Sequence, residues 1–106
     1  MGENATTQSN QNPTQEERAI GCLFGQVIGD ALGTRYEFKS AKKCQKRMAK
    51  DLDEKKHLPI LGGGPFGLKP GQFTDDTELA VAMIHSIFRC GDRYVLEDVA
   101  SAYITW

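Results

Sequence analysis

The apolar residues between positions 19 and 31 recur at the three- and four-residue intervals of an α-helix. Thr14 and Glu17 precede them at capping-box spacing, so we predict a helix from about Gln15 to Leu32. A helix that is apolar on most of its circumference is expected to be deeply buried. The apolar members are Ala19, Ile20, Leu23, Phe24, Val27, Ile28 and Ala31.

Four glycines lie four residues apart on one side of this predicted helix, at Gly21, Gly25, Gly29 and Gly33. Each interior glycine costs roughly 1 kcal/mol of helix stability relative to alanine, so some other requirement must favour the missing side chains. The interpretation we favour is the close approach of a packed helix, and the alternative is a ligand that crosses the stripe.

The segment from Lys39 to Lys56 contains eight of the thirteen lysine and arginine residues of the chain. Its apolar residues follow at i, i+3, i+7 and i+11, which predicts an amphipathic helix with a basic outer face. They are Ala41, Cys44, Met48 and Leu52. A solvated surface explains such a face, and the alternative is a basic rim that draws an anionic ligand towards a nearby site.

Two more helices are predicted beyond a glycine-rich loop. The segment from Leu58 to Gly71 contains Gly62-Gly63-Gly64-Pro65, so it is expected to be a loop with several special backbone angles. The next helix should run from about Asp75 to Cys90 and stop at Gly91.

The last predicted helix begins between Asp92 and Leu96. Its spacing turns four residues inward, namely Val99, Ala102, Tyr103 and Trp106. The pattern reaches Trp106 without a glycine, a proline or a polar run, so we expect a fragment of a longer protein or a truncated gene model.

Composition indicates one small globular unit at residues 14–106 behind a polar tail at 1–13, which we predict to be flexible because it has little apolar surface to bury. The net charge of −1 offers no bulk attraction to nucleic acid or to a membrane, and neither is expected as a partner. The chain shows no bilayer-spanning segment or signal sequence, and its three cysteines are widely spaced. We predict a soluble intracellular protein, cytoplasmic or nuclear, whose cysteines are buried or half-buried free thiols.

An acidic cluster marks the point where the glycine-rich loop meets the next helix, in Thr74-Asp75-Asp76-Thr77-Glu78. Adjacent carboxylates repel one another, and a helix cap uses only one of them. The surplus oxygen atoms suit a hard cation such as Mg²⁺, Mn²⁺ or Ca²⁺. From these residues alone, a simple N-terminal capping cluster and a metal site remain equally acceptable.

Two further acids, Asp30 and Glu37, flank the end of the first predicted helix. An acid near a helix C-terminus is unfavourable without compensation, so we expect Asp30 to accept hydrogen bonds from backbone N–H groups of a neighbouring loop or from a group behind a metal site. Glu37 lies between two aromatic residues, where it suits proton transfer or the gating of a metal. An exposed loop glutamate is the alternative.

The ordered combination of these motifs resembles the N-terminal part of the ADP-ribosylglycohydrolase family over about residues 19–106. The combination is more specific than any of its pieces. The matching features are Gly21-Cys22-Leu23-Phe24-Gly25, Gly29-Asp30-Ala31-Leu32-Gly33 with Glu37, Pro70-Gly71-Gln72-Phe73-Thr74-Asp75-Asp76-Thr77, and then Tyr103 and Trp106.

The resemblance implies an all-α fold, incomplete at residue 106, with a binuclear Mg²⁺ or Mn²⁺ centre that binds ADP-ribose. By the same resemblance, Thr74, Asp75 and Asp76 are metal ligands, while Glu37 and Asp76 are catalytic. The reaction implied is hydrolysis at the anomeric ribose carbon, which releases ADP-ribose from a modified protein or from a small molecule.

The chain departs from the family pattern in one respect. The family completes its metal centre with an Asp-x-Asp-Thr type of motif, and no such motif follows Asp76 in the 106 residues. We therefore expect activity to require a missing C-terminal half. The alternative is an inactive or truncated relative that binds ADP-ribose or serves structurally.

Overall fold

Helices supply the regular structure of residues 11–106, which are the residues that this computed structural model describes. Within them the one β-type pairing is an isolated bridge between Gly63 and Leu68. The all-α prediction is therefore confirmed. The predicted tail lies outside the described residues, apart from the exposed positions 11–13. The helices are α1 (Gln15–Gly33), α2 (Ala41–Asp51), α3 (Asp75–Arg89) and α4 (Leu96–Thr105), with a short 3-10 turn at Thr34–Tyr36.

Helix α1 starts at its predicted capping box. The backbone N–H of Thr14 donates to Glu17 Oε2 at 2.8 Å, and the N–H of Glu17 donates to Thr14 Oγ1 at 3.1 Å. These two bonds satisfy donors that have no partner inside the helix. The helix ends at Gly33, one residue beyond the predicted end. In the described part of the chain, no helix has the length and apolarity needed to cross a bilayer.

The prediction that α1 is deeply buried is wrong for the described residues. Of this helix only Ala31 is buried, whereas Ile20, Phe24 and Ile28 are 49, 60 and 51% exposed. These three residues recur at every fourth position and form one apolar stripe. Helix α3 packs on a different side of α1, and nothing in residues 11–106 covers this stripe. Periodicity identified apolar positions correctly but said nothing about which of them a neighbour would cover.

The close packing expected along the glycine stripe of α1 is not found in residues 11–106. A Cβ atom built at Gly21, Gly25, Gly29 or Gly33 meets no described atom within 4 Å, outside its own helix and chain neighbours. No described backbone therefore requires these glycines. The ligand alternative concerns Gly29 and Gly33, which border a cavity between the end of α1 and the start of α3.

Helices α3 and α4 form a hairpin that is closed by a polar cluster. Gly91, with φ of +69°, ends α3 as predicted. The completely buried Ser86 hydroxyl donates to the Asp98 carboxylate, and Arg89 Nη2 donates to the same carboxylate at 2.9 Å. The Ser86 bond lowers the pKa of Asp98 more than any other interaction. The start of α4 is thus attached to the end of α3 by charged hydrogen bonds.

The inward-facing set predicted for α4 is correct in part. Val99 is buried and Ala102 is half-buried, but Tyr103 and Trp106 are exposed. Trp106 instead directs its indole N–H to Glu78 Oε2 at 2.8 Å. The reason is that α3 is the one element of residues 11–106 with extensive contacts to α4, so α4 is covered on one side alone.

Removing the Ser86 hydroxyl should loosen this hairpin. For Ser86→Ala we expect the free energy of unfolding to fall by roughly 1 kcal/mol, because the Asp98 carboxylate loses a buried donor. Urea denaturation followed by far-UV circular dichroism measures the change. The matched control is Ser101→Ala on the exposed side of α4, which should stay within about 0.5 kcal/mol of the parent. Equal losses in both variants would contradict this assignment.

Candidate functional site

The Asp30 carboxylate at the end of α1 joins that helix to the start of α3. It accepts hydrogen bonds from the backbone N–H of Thr74 at 2.9 Å and of Thr77 at 3.1 Å. It also accepts from both threonine hydroxyls, Thr74 Oγ1 at 2.7 Å and Thr77 Oγ1 at 2.6 Å. The prediction that Asp30 binds backbone N–H groups of a neighbouring segment is confirmed.

The electrostatics of Asp30 follow from these contacts. Burial raises the pKa of this carboxyl, but the bonds from Thr77 and Thr74 outweigh burial, so the pKa is lowered overall. The ionised form of Asp30 is favoured because its carboxylate oxygens accept all four of these hydrogen bonds. A carboxylate at the N-terminus of α3 also interacts favourably with the helix dipole, although the acid belongs to another helix.

This geometry decides what the acidic cluster contributes to capping. Thr74 is the N-cap of α3, and its hydroxyl accepts from the N–H of Asp76 at 3.4 Å while it donates to Asp30. The Asp75 and Asp76 side chains are exposed, and no described group donates a hydrogen bond to either carboxylate. Thr74 and Asp30 therefore account for the cap, and the two aspartates remain available for another purpose.

A cavity of about 140 Å³ separates the end of α1 from the start of α3. Two predicted site residues, Glu37 and Asp76, both line it, whereas Thr74 and Asp75 do not. Its remaining lining is Gly29, Asp30, Gly33 and Thr34. The glycines leave this side of α1 open, so the structure brings one predicted catalytic pair to a single opening.

Two oxygen atoms of the residues that line this cavity have no partner in the described structure. They are Thr34 Oγ1 and Glu37 Oε2, and both are inaccessible to solvent. A buried polar atom without a hydrogen bond is unfavourable by about 1–3 kcal/mol, and such atoms are commonly satisfied by water, an ion or a ligand. These atoms and the Asp76 carboxylate offer only oxygen, which fits Mg²⁺ or Mn²⁺ and not a soft metal.

The described residues do not complete a metal centre. Within residues 11–106, no three histidine, cysteine, aspartate or glutamate side chains are grouped so as to hold an ion. The predicted ligands Thr74, Asp75 and Asp76 thus stay a prediction. They sit consecutively at a helix start, so their side chains point in different directions and need further ligands from elsewhere.

A second polar cluster, which the sequence reasoning missed, holds the residues just before Glu37. Arg35 makes two bonds to Asp51 at the end of α2, Nε to Oδ2 at 2.7 Å and Nη2 to Oδ1 at 3.1 Å. The Tyr36 hydroxyl donates to Asp51 Oδ2 at 2.8 Å. We call Arg35, Tyr36 and Asp51 the clamp. The one available signal was that Asp51 is the sole acid among the lysines of α2.

Charge stabilises the clamp. The bond from Arg35 lowers the pKa of Asp51 to about 2, although burial opposes this change and Tyr36 adds to it. The same pairing raises the pKa of Arg35, and burial followed by the bond to Asp51 raises that of Tyr36. The Asp51 and Arg35 side chains are only 9% and 16% exposed, so water screens this pair weakly.

The glycine-rich loop packs against the clamp and the 3-10 turn. Arg35 Nη1 donates to the Gly62 carbonyl at 3.0 Å. Gly64 has φ of +71°, and a Cβ atom there would collide with the Thr34 carbonyl. The predicted special backbone angles are confirmed. No residue from Gly62 to Gly67 lines the Glu37–Asp76 cavity, so this loop acts on the site only through the turn that precedes Glu37.

An aromatic pair lies beside Glu37. Phe38 has φ of +60°, which is unusual for a residue other than glycine, and its side chain is 82% exposed. Its ring meets that of Phe66 edge to face, with centroids 6.2 Å apart. The turn that carries Glu37 is therefore followed by a strained residue and an exposed aromatic surface.

These features define a class, namely an all-α segment whose helix ends assemble an oxygen-rich site. The model of a family described as ADP-ribosylglycohydrolase matches residues 11–106. The chain therefore belongs to the ADP-ribosylglycohydrolase family, which is a family of hydrolases. No solved structure matches the chain at a significant level.

Individual relatives agree with this assignment. Protein L543 of Acanthamoeba polyphaga mimivirus, provisionally named an ADP-ribosyl glycohydrolase, is 43% identical over 86% of this chain and 27% of its own length. The ADP-ribosyl-[dinitrogen reductase] glycohydrolase of Rhodospirillum rubrum is 34% identical, and the match covers 89% of this chain and 30% of the relative. The ADP-ribosylarginine hydrolase Tri1 of Serratia proteamaculans is 40% identical, and the match covers 71% of this chain and 18% of the relative. The chain thus spans less than a third of each relative.

Replacing Asp30 tests its role as a cap between helices. For Asp30→Asn we expect the free energy of unfolding to fall by roughly 2–3 kcal/mol, because four donors lose an ionised acceptor. The matched control is Asp75→Asn, which removes one charge from the same helix start and should cost less than about 1 kcal/mol. Chemical denaturation of both variants gives the comparison. A larger loss for Asp75→Asn would contradict the assignment.

The clamp predicts a specific acid sensitivity. Because the folded-state pKa of Asp51 lies near 2, below its ordinary 3.8, its contribution is complete above pH 3.8 and is lost as the pH falls through about 2. Asp51→Asn should reduce stability at pH 7 by roughly 2–4 kcal/mol and should flatten the pH dependence in that window. Urea denaturation between pH 2 and pH 7 measures both effects.

The control for the clamp is Glu54→Gln, a neutralised acid on the exposed surface three residues away. It should preserve both the stability at pH 7 and the slope below pH 4. If Glu54→Gln flattened the slope as strongly as Asp51→Asn, the acid sensitivity would belong to general charge and not to the clamp.

Proposed function

We propose that the protein to which this chain contributes is a metal-dependent hydrolase that removes ADP-ribose from a modified protein. The bond cleaved is the one at the anomeric carbon of the ribose. Family membership supports the reaction class. The single observation that carries the proposal is the cavity that Glu37 and Asp76 share, where two buried oxygen atoms lack partners among the described residues.

The metal is Mg²⁺ or Mn²⁺ in this proposal, and Thr74, Asp75 and Asp76 supply part of its ligands. The state of the two aspartates supports this assignment. Thr74 and Asp30 already provide the cap of α3, so no described group donates a hydrogen bond to the Asp75 or Asp76 carboxylate. A bound divalent cation supplies Lewis acidity and orients the ribose hydroxyls. The remaining ligands come from outside residues 11–106, because those residues hold no complete group.

Glu37 handles the proton in this proposal. The clamp holds the two residues before it, and the glycine-rich loop packs behind the same turn, so its backbone position is fixed from two sides. A carboxylate placed at a site of glycosidic cleavage can accept a proton from water as positive charge develops on the ribose. Asp30 acts indirectly, by keeping Asp76 at the opening.

A protein acceptor is favoured over a small molecule by the names of the relatives. The Rhodospirillum rubrum enzyme is named for dinitrogen reductase, and the Tri1 enzymes are named for ADP-ribosylarginine. An intracellular location, cytoplasmic or nuclear, is part of the same proposal. The three free thiols, Cys22, Cys44 and Cys90, suit a reducing compartment. The predicted burial is wrong for Cys22, which is exposed, whereas the other two are half-buried.

The alternative function is a relative that binds ADP-ribose without cleaving it. The observation in its favour is that residues 11–106 contain no complete group of metal ligands. Calorimetric titration with ADP-ribose, combined with an assay for released ADP-ribose, separates the two functions. Binding without release by a polypeptide that contains the whole domain would establish the alternative.

Neutralising the two aspartates tests the enzyme proposal in a polypeptide that contains this chain and the rest of the domain. Asp75→Ala with Asp76→Ala should abolish Mn²⁺ binding in calorimetric titration and lower ADP-ribose release from an ADP-ribosylated arginine peptide by at least about 100-fold. Glu37→Gln should lower release to a similar extent but should leave Mn²⁺ binding measurable.

The matched control is Glu78→Gln, which neutralises a third acid of the same helix start. Its carboxylate accepts from the Trp106 indole and does not line the Glu37–Asp76 cavity. We expect nearly full activity and unchanged Mn²⁺ affinity. Unchanged Mn²⁺ binding in the double alanine variant would overturn the metal assignment.

A further inference from the structure

One face of α2 and of the turn before it is strongly basic. Its cations line a cavity of about 460 Å³ on the surface, together with the Arg35–Asp51 pair. We call these cations the basic face, and they are Lys39, Lys43, Lys46, Arg47 and Lys50. Over residues 39–50 a helical rise of 1.5 Å per residue would give a length of roughly 16 Å.

Within residues 11–106, no acid forms an ion pair with the cations of the basic face. Asp51 is the one acid in the cavity lining, and Arg35 occupies both of its oxygen atoms. Five like charges therefore repel one another on a chain whose net charge is only −1, an arrangement that an anionic partner would relieve.

The basic face is continuous with the Glu37 site. Lys39 and Arg47 also line a second cavity of about 360 Å³, which they share with Glu37 and Phe38. Glu37 in turn lines the smaller cavity with Asp76. Shared residues thus connect the surface of α2 to the cavity that Glu37 and Asp76 line, so a partner on the basic face would lie next to Glu37.

We infer that the basic face binds an acidic polypeptide segment, namely the part of a protein acceptor that flanks its ADP-ribosylated residue. The inference rests on the proposed function for its biological role, but the binding itself does not require hydrolysis. It makes the basic face a determinant of which modified proteins are accepted, through charge complementarity beside Glu37.

A polypeptide fits this surface better than a phosphate chain. Four of the five cations are lysines, which act as point charges, whereas two-pronged phosphate recognition favours arginine. The Arg35 fork is already engaged by Asp51. A length of about 16 Å also matches roughly five residues of extended polypeptide at 3.3 Å per residue.

The test uses the 106-residue chain and a fluorescein-labelled decapeptide of alternating glutamate and serine, with binding followed by fluorescence anisotropy. We expect saturable binding that weakens as salt is raised, and at least tenfold weaker binding of the glutamine–serine peptide. Lys43→Glu with Lys46→Glu should weaken binding of the acidic peptide by roughly tenfold or more. The double glutamine variant, Lys43→Gln with Lys46→Gln, should lose less affinity for the acidic peptide, because it removes the two positive charges without reversing them. If circular dichroism shows that the double glutamate variant is unfolded, the double glutamine variant is used in its place.

The matched control is Lys55→Glu with Lys56→Glu, which changes the net charge equally at exposed positions outside the cavity. Its affinity should stay within about threefold of the parent. Equal loss in both pairs, or equal affinity for the acidic and neutral peptides, would overturn the inference. Binding of inorganic polyphosphate without binding of the acidic peptide would also overturn it. Intact peptide binding, together with no release of ADP-ribose by a polypeptide that contains the whole domain, would count against the proposed function alone.

Discussion

The bond between the Asp30 carboxylate and the start of α3 is the interaction on which the site depends. It connects residues 44 to 47 positions apart and gives the backbone N–H groups of Thr74 and Thr77 a carboxylate acceptor from another helix. A helix start contains backbone donors without internal partners, and an ionised acceptor is the strongest remedy. Because Asp30 fills this role with Thr74, the cap of α3 does not use the neighbouring Asp75 and Asp76 carboxylates.

Local signals made the helices predictable. Thr14 with Glu17, Gly91, and the spacing of apolar residues each act within one or two turns, and the observed boundaries agree closely with the predicted ones. The pairing of Arg35 with Asp51 was not predictable in this way. Its partners are 16 residues apart, and nothing in a lysine-rich helix indicates which side chain its last acid will meet.

Burial was the least predictable property. The sequence pattern marked Ile20, Phe24 and Ile28 as core residues, yet the described chain leaves them exposed. Periodicity reports that a helix face is apolar, whereas burial depends on a second element of matching shape. In the candidate site, too, some residues were predictable from the sequence and others were not. Glu37 and Asp76 were expected together because of a family resemblance, but the unpartnered Thr34 hydroxyl that lines the same cavity had no sequence signal.

The clamp has a consequence for how distant parts of the surface communicate. Asp51 belongs to the helix that carries the basic face, while Arg35 and Tyr36 immediately precede Glu37. A ligand of α2 that displaced Asp51 would therefore act on the two residues that hold the Glu37 turn. For any such coupling, thermodynamic reciprocity requires that occupation of the Glu37 cavity change the affinity of α2 for its ligand by the same factor.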